Sequence, residues 1–456
     1  MKQTNNAIKF LMAQYRAIFN NAYFKGLATA AVVTVGLAAG QAQAAVTLDN
    51  LASGEHTVAE GETIAFTPSG DTTFDATLDI QSSGNNSITA TTKDAKLSGE
   101  GTLNLNATGS GKLTLTGTAS AAALTVDIKA INVNSGTLEV TGVKGKATNV
   151  NAKTLSVAKG ATVAVTAADT ASTLSATTMD IGTKSSNTHV VQADQKATIN
   201  LGKSGALGTT LENDKTVSEL STINLYSDGV ISALSGDGVT NTINAAVLNI
   251  KGGSLEVQAK SDGSSGATTT LNIASGSMDG GSIVVNKSAV LNVGFDDNDI
   301  KLQAGGEENL TKQFSLNSGE LVAKGNITLK GLGTYVIGND VTITGGEAQS
   351  EAEFNLVSGS AAEKSPTLQL SKKKLGELVA ATKVKTDTAV LDVTGTTNAD
   401  QIVLGTDANI KFAESAAKAG EIYASGATTL KADHIKVDGA VANAGRVDAS
   451  KLMLSL

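Results

Sequence analysis

The densest chemistry in the chain sits in four consecutive residues, Asp296-Asp297-Asn298-Asp299. Carboxylate and amide oxygens crowded into one turn suit a hard cation such as Ca²⁺. Asp296, Asp297 and Asp299 are therefore candidate calcium ligands, and calcium is the one cofactor the sequence suggests. Two points oppose it. A solvated acidic turn is the ordinary outcome of such residues, and the Gly-Gly-x-Gly-x-Asp nonapeptide of calcium β-rolls is absent. Other chemistry is thin. His56, His189 and His434 share no spacing, and there is no cysteine to act as nucleophile or soft metal ligand. Gly109-Ser110-Gly111-Lys112 has the look of a phosphate-binding loop, but Asn106 stands at the first Gly and Leu113 at the hydroxyl position. It reads as a turn. No Gly-x-Ser-x-Gly nucleophile context occurs. With nucleophile, base and oxyanion donors all missing, the expectation is a protein that is not an enzyme.

Composition narrows the remaining classes. Of 456 residues, 48 are Gly and only two are Pro, with no Trp. Five of the fourteen aromatics (Phe10, Tyr15, Phe19, Tyr23, Phe24) fall at the N-terminus, so an interior must be filled by Val, Leu, Ile, Ala and Thr. A hydrophobic share of 41% is too high for a disordered chain. The first 44 residues hold Lys2, Lys9, Arg16 and Lys25 and no acid, which leaves 31 basic against 43 acidic residues beyond them, and one arginine, Arg446. That balance argues against a nucleic-acid partner, whose phosphates need a basic, arginine-bearing surface.

The elements that would position any site follow from one repeated phrase. Ile131-x-Val133-x-x-Gly136-x-Leu138-x-Val140 returns as Leu248-x-Ile250-x-x-Gly253-x-Leu255-x-Val257. Shorter echoes are Leu271, Ile273, Gly276, Met278 and Phe314, Leu316, Gly319, Leu321. Apolar-polar alternation is a strand with one buried face, and the Gly admits a turn through positive φ. Strand, turn, strand, repeated, predicts stacked equivalent rungs around one thin dry aliphatic column. Strands are predicted at 102–105, 112–116, 124–128, 137–141, 154–157, 162–166, 198–201, 222–225, 247–250, 254–257, 270–273, 282–285, 290–293, 326–329 and 340–343. They resume at 389–393, 401–404, 428–432 and 435–437. The fold class expected is all-β, a right-handed parallel β-helix, preceded by a helical N-terminal segment. Gly136 to Gly160 and Gly253 to Gly276 suggest rungs of about 20–24 residues, hence a rod of ~80–90 Å at ~4.8 Å per rung. Asn104, Asn132, Asn224, Asn249, Asn272 and Asn292 each lie between two apolar residues. Stacking would let them form ladders, but alternation alone turns them to solvent, and solvent is the expectation.

Residues 360–386 change texture. Ser371 can cap a short helix with Leu375, Leu378, Val379 and Thr382 on one face. Lys372-Lys373-Lys374 opposes the helix dipole in its first turn and reads as a solvated face. The domain plan is 1–44 leader, 45–359 solenoid, 360–386 interruption or cap, and 387–456 second solenoid section.

Residues 1–44 read as a secretory signal. An apolar run over 26–40 follows Lys25 and ends in Ala42-Gln43-Ala44, which places cleavage between Ala44 and Ala45. The run is too short and too weakly apolar for a bilayer span, so no transmembrane span is expected in the mature chain. The preceding stretch, with Tyr15-Arg16-Ala17-Ile18-Phe19-Asn20 and Tyr23-Phe24-Lys25-Gly26, resembles the extended signal peptides of Gram-negative type V secreted proteins. Near the other end, Val437-Asp-Gly-Ala-Val441-Ala-Asn443-Ala-Gly445-Arg-Val447 resembles the turns of filamentous-haemagglutinin-like and autotransporter adhesin passengers. The resemblance implies export to the cell surface or exterior of a Gram-negative bacterium by secretion machinery. It also implies contact with a host or neighbouring-cell surface glycan or protein. The chain departs from a full autotransporter, since it closes on Leu452-Met453-Leu454-Ser455-Leu456 with no barrel of aromatic-girdled strands. The expected function is an adhesin or structural stalk. The alternatives are an S-layer-like or matrix protein, or a polysaccharide-degrading enzyme on a β-helix.

Overall fold

In a computed structural model the chain beyond residue 44 winds into one long stack of parallel strands. The structure describes residues 45–455 apart from 67–70, 92, 119–121, 168–171, 184–195, 202–204, 209–220, 236–239, 260–266, 296–312, 332, 346–351, 359–364, 388, 395–401, 406–410, 414–420, 425–427 and 439–446. Residues 44–456 form one compact unit, and the fold belongs to it. The leader and Ala44 lie outside the described residues, while Ala45 opens the first strand, Ala45–Thr47. No helix among the described residues is long and apolar enough to cross a membrane.

Each turn of the chain visits three parallel sheets. One turn shows the plan: residues 124–128 lie in sheet 3, 130–133 in sheet 1, and Thr137–Gly142 in sheet 2. The next turn repeats it, with Leu124 beside Thr148, Ala130 beside Thr154 and Thr137 beside Thr162. Sheet 1 carries fifteen strands among the described residues, from Glu55–Val58 to 447–449. At ~4.8 Å per strand that is roughly 70 Å, shorter than the sequence implied. Some rungs have the expected length and others are longer. Gln313 to Thr334 takes 21 residues, Thr102 to Ala130 takes 28, and Thr178 to Thr222 takes 44.

The interior obeys the alternation. Ile131, Val133, Leu138 and Val140 point inward from two sheets, and Gly136 between them has φ 79°. Its absent Cβ would stand 2.5 Å from the Gly111 carbonyl, so the corner requires glycine twice over. In the second copy the positive φ falls on Gly252, not Gly253. The echo at Leu271 and Gly276 is out of phase: Gly276 lies inside the strand Ala267–Val285, against the Leu248 carbonyl, and makes no turn. Aliphatic residues fill most of the column, and the few aromatics gather. Phe314, Tyr335 and Phe354 help line an internal apolar cavity of about 40 Å³.

The helix Lys372–Ala381 is where the sequence put it, with the Ser371 hydroxyl accepting from the Lys374 amide and Leu375, Leu378 and Val379 buried. It takes the place of one sheet 2 strand. Sheet 1 continues past it from Thr367 to Val390, and sheet 3 from Glu353 to Lys383. Its Lys374 departs from the solvated face expected of the basic run. This lysine is 4% exposed, and its Nζ donates to the Val341 carbonyl at 2.5 Å and to Glu377 Oε2 at 2.7 Å. The strand Thr334–Gly345 has lost its next neighbour in sheet 2, and the ammonium supplies the missing donor.

Candidate interaction surface

The calcium candidates Asp296, Asp297 and Asp299 lie outside the described residues, as do His189 and the 439–446 part of the adhesin-like turn. Among described residues no group of three His, Asp or Glu is placed to share a metal ion. His56 sits in the strand Glu55–Val58, with Nε2 2.8 Å from the Ala52 carbonyl. Gly109 to Lys112 is a turn between sheets 1 and 2. Gly109 has φ 59°, and Lys112 pairs with Glu139 on the next rung at 2.8 Å.

Outside the column, in-register strands bring like polar residues together. Asn132 donates to Asn104 at 2.8 Å, Asn134 to Asn106 at 2.8 Å, Asn249 to Asn224 at 3.0 Å and Asn272 to Asn244 at 2.9 Å. Asn106 in turn donates to Asp79, and Asn224 to Asp180 at 2.8 Å. The asparagines therefore do face outward, but they also form ladders, which solvent exposure alone did not predict. Register decides membership: Asn292 stands between Thr270 and Thr328 and has no asparagine to meet.

Two features on this face had no signal in the sequence. Asp228, in a turn of ordinary composition, is buried and clamps the neighbouring rung, accepting from the Thr183 amide at 2.5 Å and hydroxyl at 2.6 Å. Tyr226 is also buried, with Lys251 Nζ 5.8 Å from its ring centre. Burial first, and then the nearby Asp180 carboxylate, raises the Tyr226 hydroxyl above its ordinary pKa, so it stays a neutral donor to Asp180.

The corner between sheets 3 and 1 is where the surface opens. Residues 98–100, 127–128, 151–153 and 175–177 of four successive rungs border a groove of about 550 Å³. The first rung makes it with Gly99-Glu100-Gly101 over Phe74. A Cβ on Gly101 would stand 2.2 Å from the Phe74 ring, and the Glu100 amide donates to Asp75 at 2.9 Å. Glu100 is thereby set outward, where Lys153, two rungs on, reaches it at 2.7 Å. Lys96 meets Asp127 at 3.4 Å. Both pairs are exposed and hold little stability; they fix the charge pattern of the rim. Ser175 donates to Asn151 across the wall.

Later rungs lengthen at this same corner. The crossing that takes the single residue Lys129 in one rung separates Leu207 from Thr222, Phe295 from Gln313 and Val357 from Thr367 in others. These are three of the five longest separations between successive described strands. Insertions in stacked repeats map to loops on one face, often the one used for binding. The Asp296–Asp299 segment directly follows Phe295, so it enters the chain at one of these crossings. Comparison with protein-family models, with curated proteins and with solved structures gives no match to this chain.

Proposed function

We propose that the chain is an exported β-solenoid displayed on the surface of a Gram-negative bacterium, acting as an adhesin or as the stalk of one. The observation that carries this reading is the long stack of parallel strands in three sheets with the chain lengthened repeatedly at one corner. Such a body offers stiffness and a long edge, and its contacts are spread over many rungs. The coil is right-handed on this reading, as parallel strand crossovers almost always are. The partner would be a glycan or protein of a host or neighbouring cell, met along the sheet 3–sheet 1 corner, and secretion machinery would deliver the chain. Cleavage between Ala44 and Ala45 would release a mature chain whose first residue is already the first strand.

The test is immunogold labelling of intact cells with antibody to the folded protein, joined to adhesion of protein-coated beads to cell monolayers. Label on isolated surface projections, and bead adhesion reduced by Glu100→Lys with Asp127→Lys, is the expected result. Label confined to the periplasm would overturn the surface reading. A continuous lattice would point to the matrix-protein alternative.

A further inference from the structure

The inner face of sheet 3 is aliphatic at most positions, yet one inward file is polar. Asn241 pairs with Thr269, and Ser172 with Gly205. The pairing of Ala206 with Thr242 sets Gly205 beside Asn241, and that of Asn149 with Thr173 sets Thr148 beside Ser172. Thr148, Ser172, Gly205, Asn241 and Thr269 thus stand on five successive rungs, between Leu124 at one end and Leu291 at the other. The four side chains are wholly enclosed, each at 0% exposure. Some of their polar atoms are satisfied. The Thr148 hydroxyl donates to the Thr141 carbonyl at 2.9 Å, and Asn241 Nδ2 to the Leu201 carbonyl at 3.3 Å. Three have no protein partner: Ser172 Oγ, Asn241 Oδ1 and Thr269 Oγ1.

An orphaned buried polar atom costs about 1–3 kcal/mol, and three stand on this one file. Their chemistry says what would satisfy them. The set is neutral, two hydroxyls and an amide oxygen, with no carboxylate to balance a cation. A ligand that both donates and accepts hydrogen bonds and carries no charge fits it. Side chains on adjacent rungs can meet directly, as Ser254 and Ser282 do at 2.9 Å, but Asn241 Oδ1 and Thr269 Oγ1 make no such bond; with rungs ~4.8 Å apart, one water making two bonds of ~2.8 Å spans the step. Gly205 brings no side chain to the rung between Ser172 and Asn241.

We propose that this file is a buried hydration site holding an ordered chain of about two water molecules, one bridging Asn241 Oδ1 to Thr269 Oγ1 and one over Gly205 bonded to Ser172 Oγ. The column is then dry along most of its length and wet for these rungs. The test uses the full chain. Oxygen-17 relaxation dispersion counts waters held longer than the protein's tumbling time, and Ser172→Ala with Asn241→Leu and Thr269→Val removes the file at near-constant volume. The expected result is a dispersion amplitude lower by about two waters in the triple variant. Thr269→Val alone, close in shape to the native residue, should remove the bridging water and guards against misfolding of the triple variant. A crystal structure of the native protein should show density at both positions. A direct Asn241–Thr269 hydrogen bond with no water beside it, or equal amplitudes in native protein and Thr269→Val, would overturn the proposal.

Discussion

Replacing Lys374 by Met tests how the stack tolerates a helix in place of a strand. The substitution keeps the length of the side chain and its packing and removes only the ammonium. Two interactions are lost: a charge-assisted hydrogen bond to the Val341 carbonyl and the pair with Glu377. Hydrogen bonds to charged groups contribute roughly 1.5–3 kcal/mol, and Val341, whose carbonyl is left behind, is buried. Glu377 is about one-third exposed, so water takes over much of its lost partner. The sum is a local cost of about 2–3 kcal/mol. In a stacked-repeat body this cost falls on the rungs next to the change and only weakly on the rest. Hydrogen exchange is the fitting assay. Amides of Thr334–Gly345 and Thr367–Leu370 should exchange roughly 30- to 150-fold faster, while those of Thr102–Asn106 stay unchanged. Glu377→Gln should move the same amides by less than tenfold. If Lys374→Met left them unmoved, or if Glu377→Gln did as much harm, the ammonium would not be the donor that completes the sheet 2 edge.

Other outcomes follow from single contacts. Gly101→Ala forces a Cβ against the Phe74 ring and should cost ~1–3 kcal/mol, whereas Gly84→Ala meets only the Ser82 hydroxyl at 3.2 Å and should be mild; chemical denaturation of the two variants compares them. Asn132→Ala breaks one ladder bond and should cost ~0.5–1.5 kcal/mol, read as faster exchange in residues 102–106 and 130–133. Val293→Ile adds a methylene to the lining of the 40 Å³ cavity, which at ~24 cal/mol per Å³ can return at most ~1 kcal/mol; a lowered melting temperature would show the void cannot accept it. The Asp94 carboxyl is held below the usual range first by the Ala123 amide and then by Lys146, and Glu60 by the Ser83 hydroxyl and amide. A depressed folded pKa stabilises above the unfolded value and is lost as pH falls through the folded one, so the first rungs should loosen on acidification, with both carboxyls titrating low in a carbon-13 NMR series.

How far the sequence reached depended on what each sheet demands of it. Sheets 1 and 2 were legible because a Gly corner separates two clean alternations, as around Gly136. Sheet 3 was read at 124–128, 270–273, 290–293 and 326–329 and missed at other rungs. Its strands at 148–152 and 172–176 read Thr-Asn-Val-Asn-Ala and Ser-Thr-Leu-Ser-Ala, with one large apolar residue each, and the polar residues at 148 and 172 face inward. Period-2 patterning cannot be seen when both faces are polar. The opening rungs, 55–98, were missed for a related reason: most of their strands hold at most one large apolar residue, as Glu55–Val58 and Asn85–Thr89 do. The corner surface was invisible because it depends on register. Glu100 and Lys153 are 53 residues apart and meet only because two rungs separate them. The helix was legible because Ser371 and the spacing of Leu375, Leu378 and Val379 act within ten residues.

The same reasoning explains why one corner can vary while the stack does not. Thr178 and Thr222 are partners although 44 residues part them, added at the crossing after Ile181 as well as at the sheet 3–sheet 1 crossing after Leu207, and Met179–Ile223 and Ile181–Leu225 follow in step. Register there is set by inward side chains that must meet the column, since a one-residue slip would turn Ile223 and Leu225 to solvent. The length of the crossing enters only through loop closure, where each doubling adds about 0.6 kcal/mol. A slip would lose several buried side chains at ~1.5–3 kcal/mol each. The column therefore dominates, and sequence added at the sheet 3–sheet 1 corner leaves the rungs in place. That inequality is what lets a solenoid hold its length constant while one edge changes.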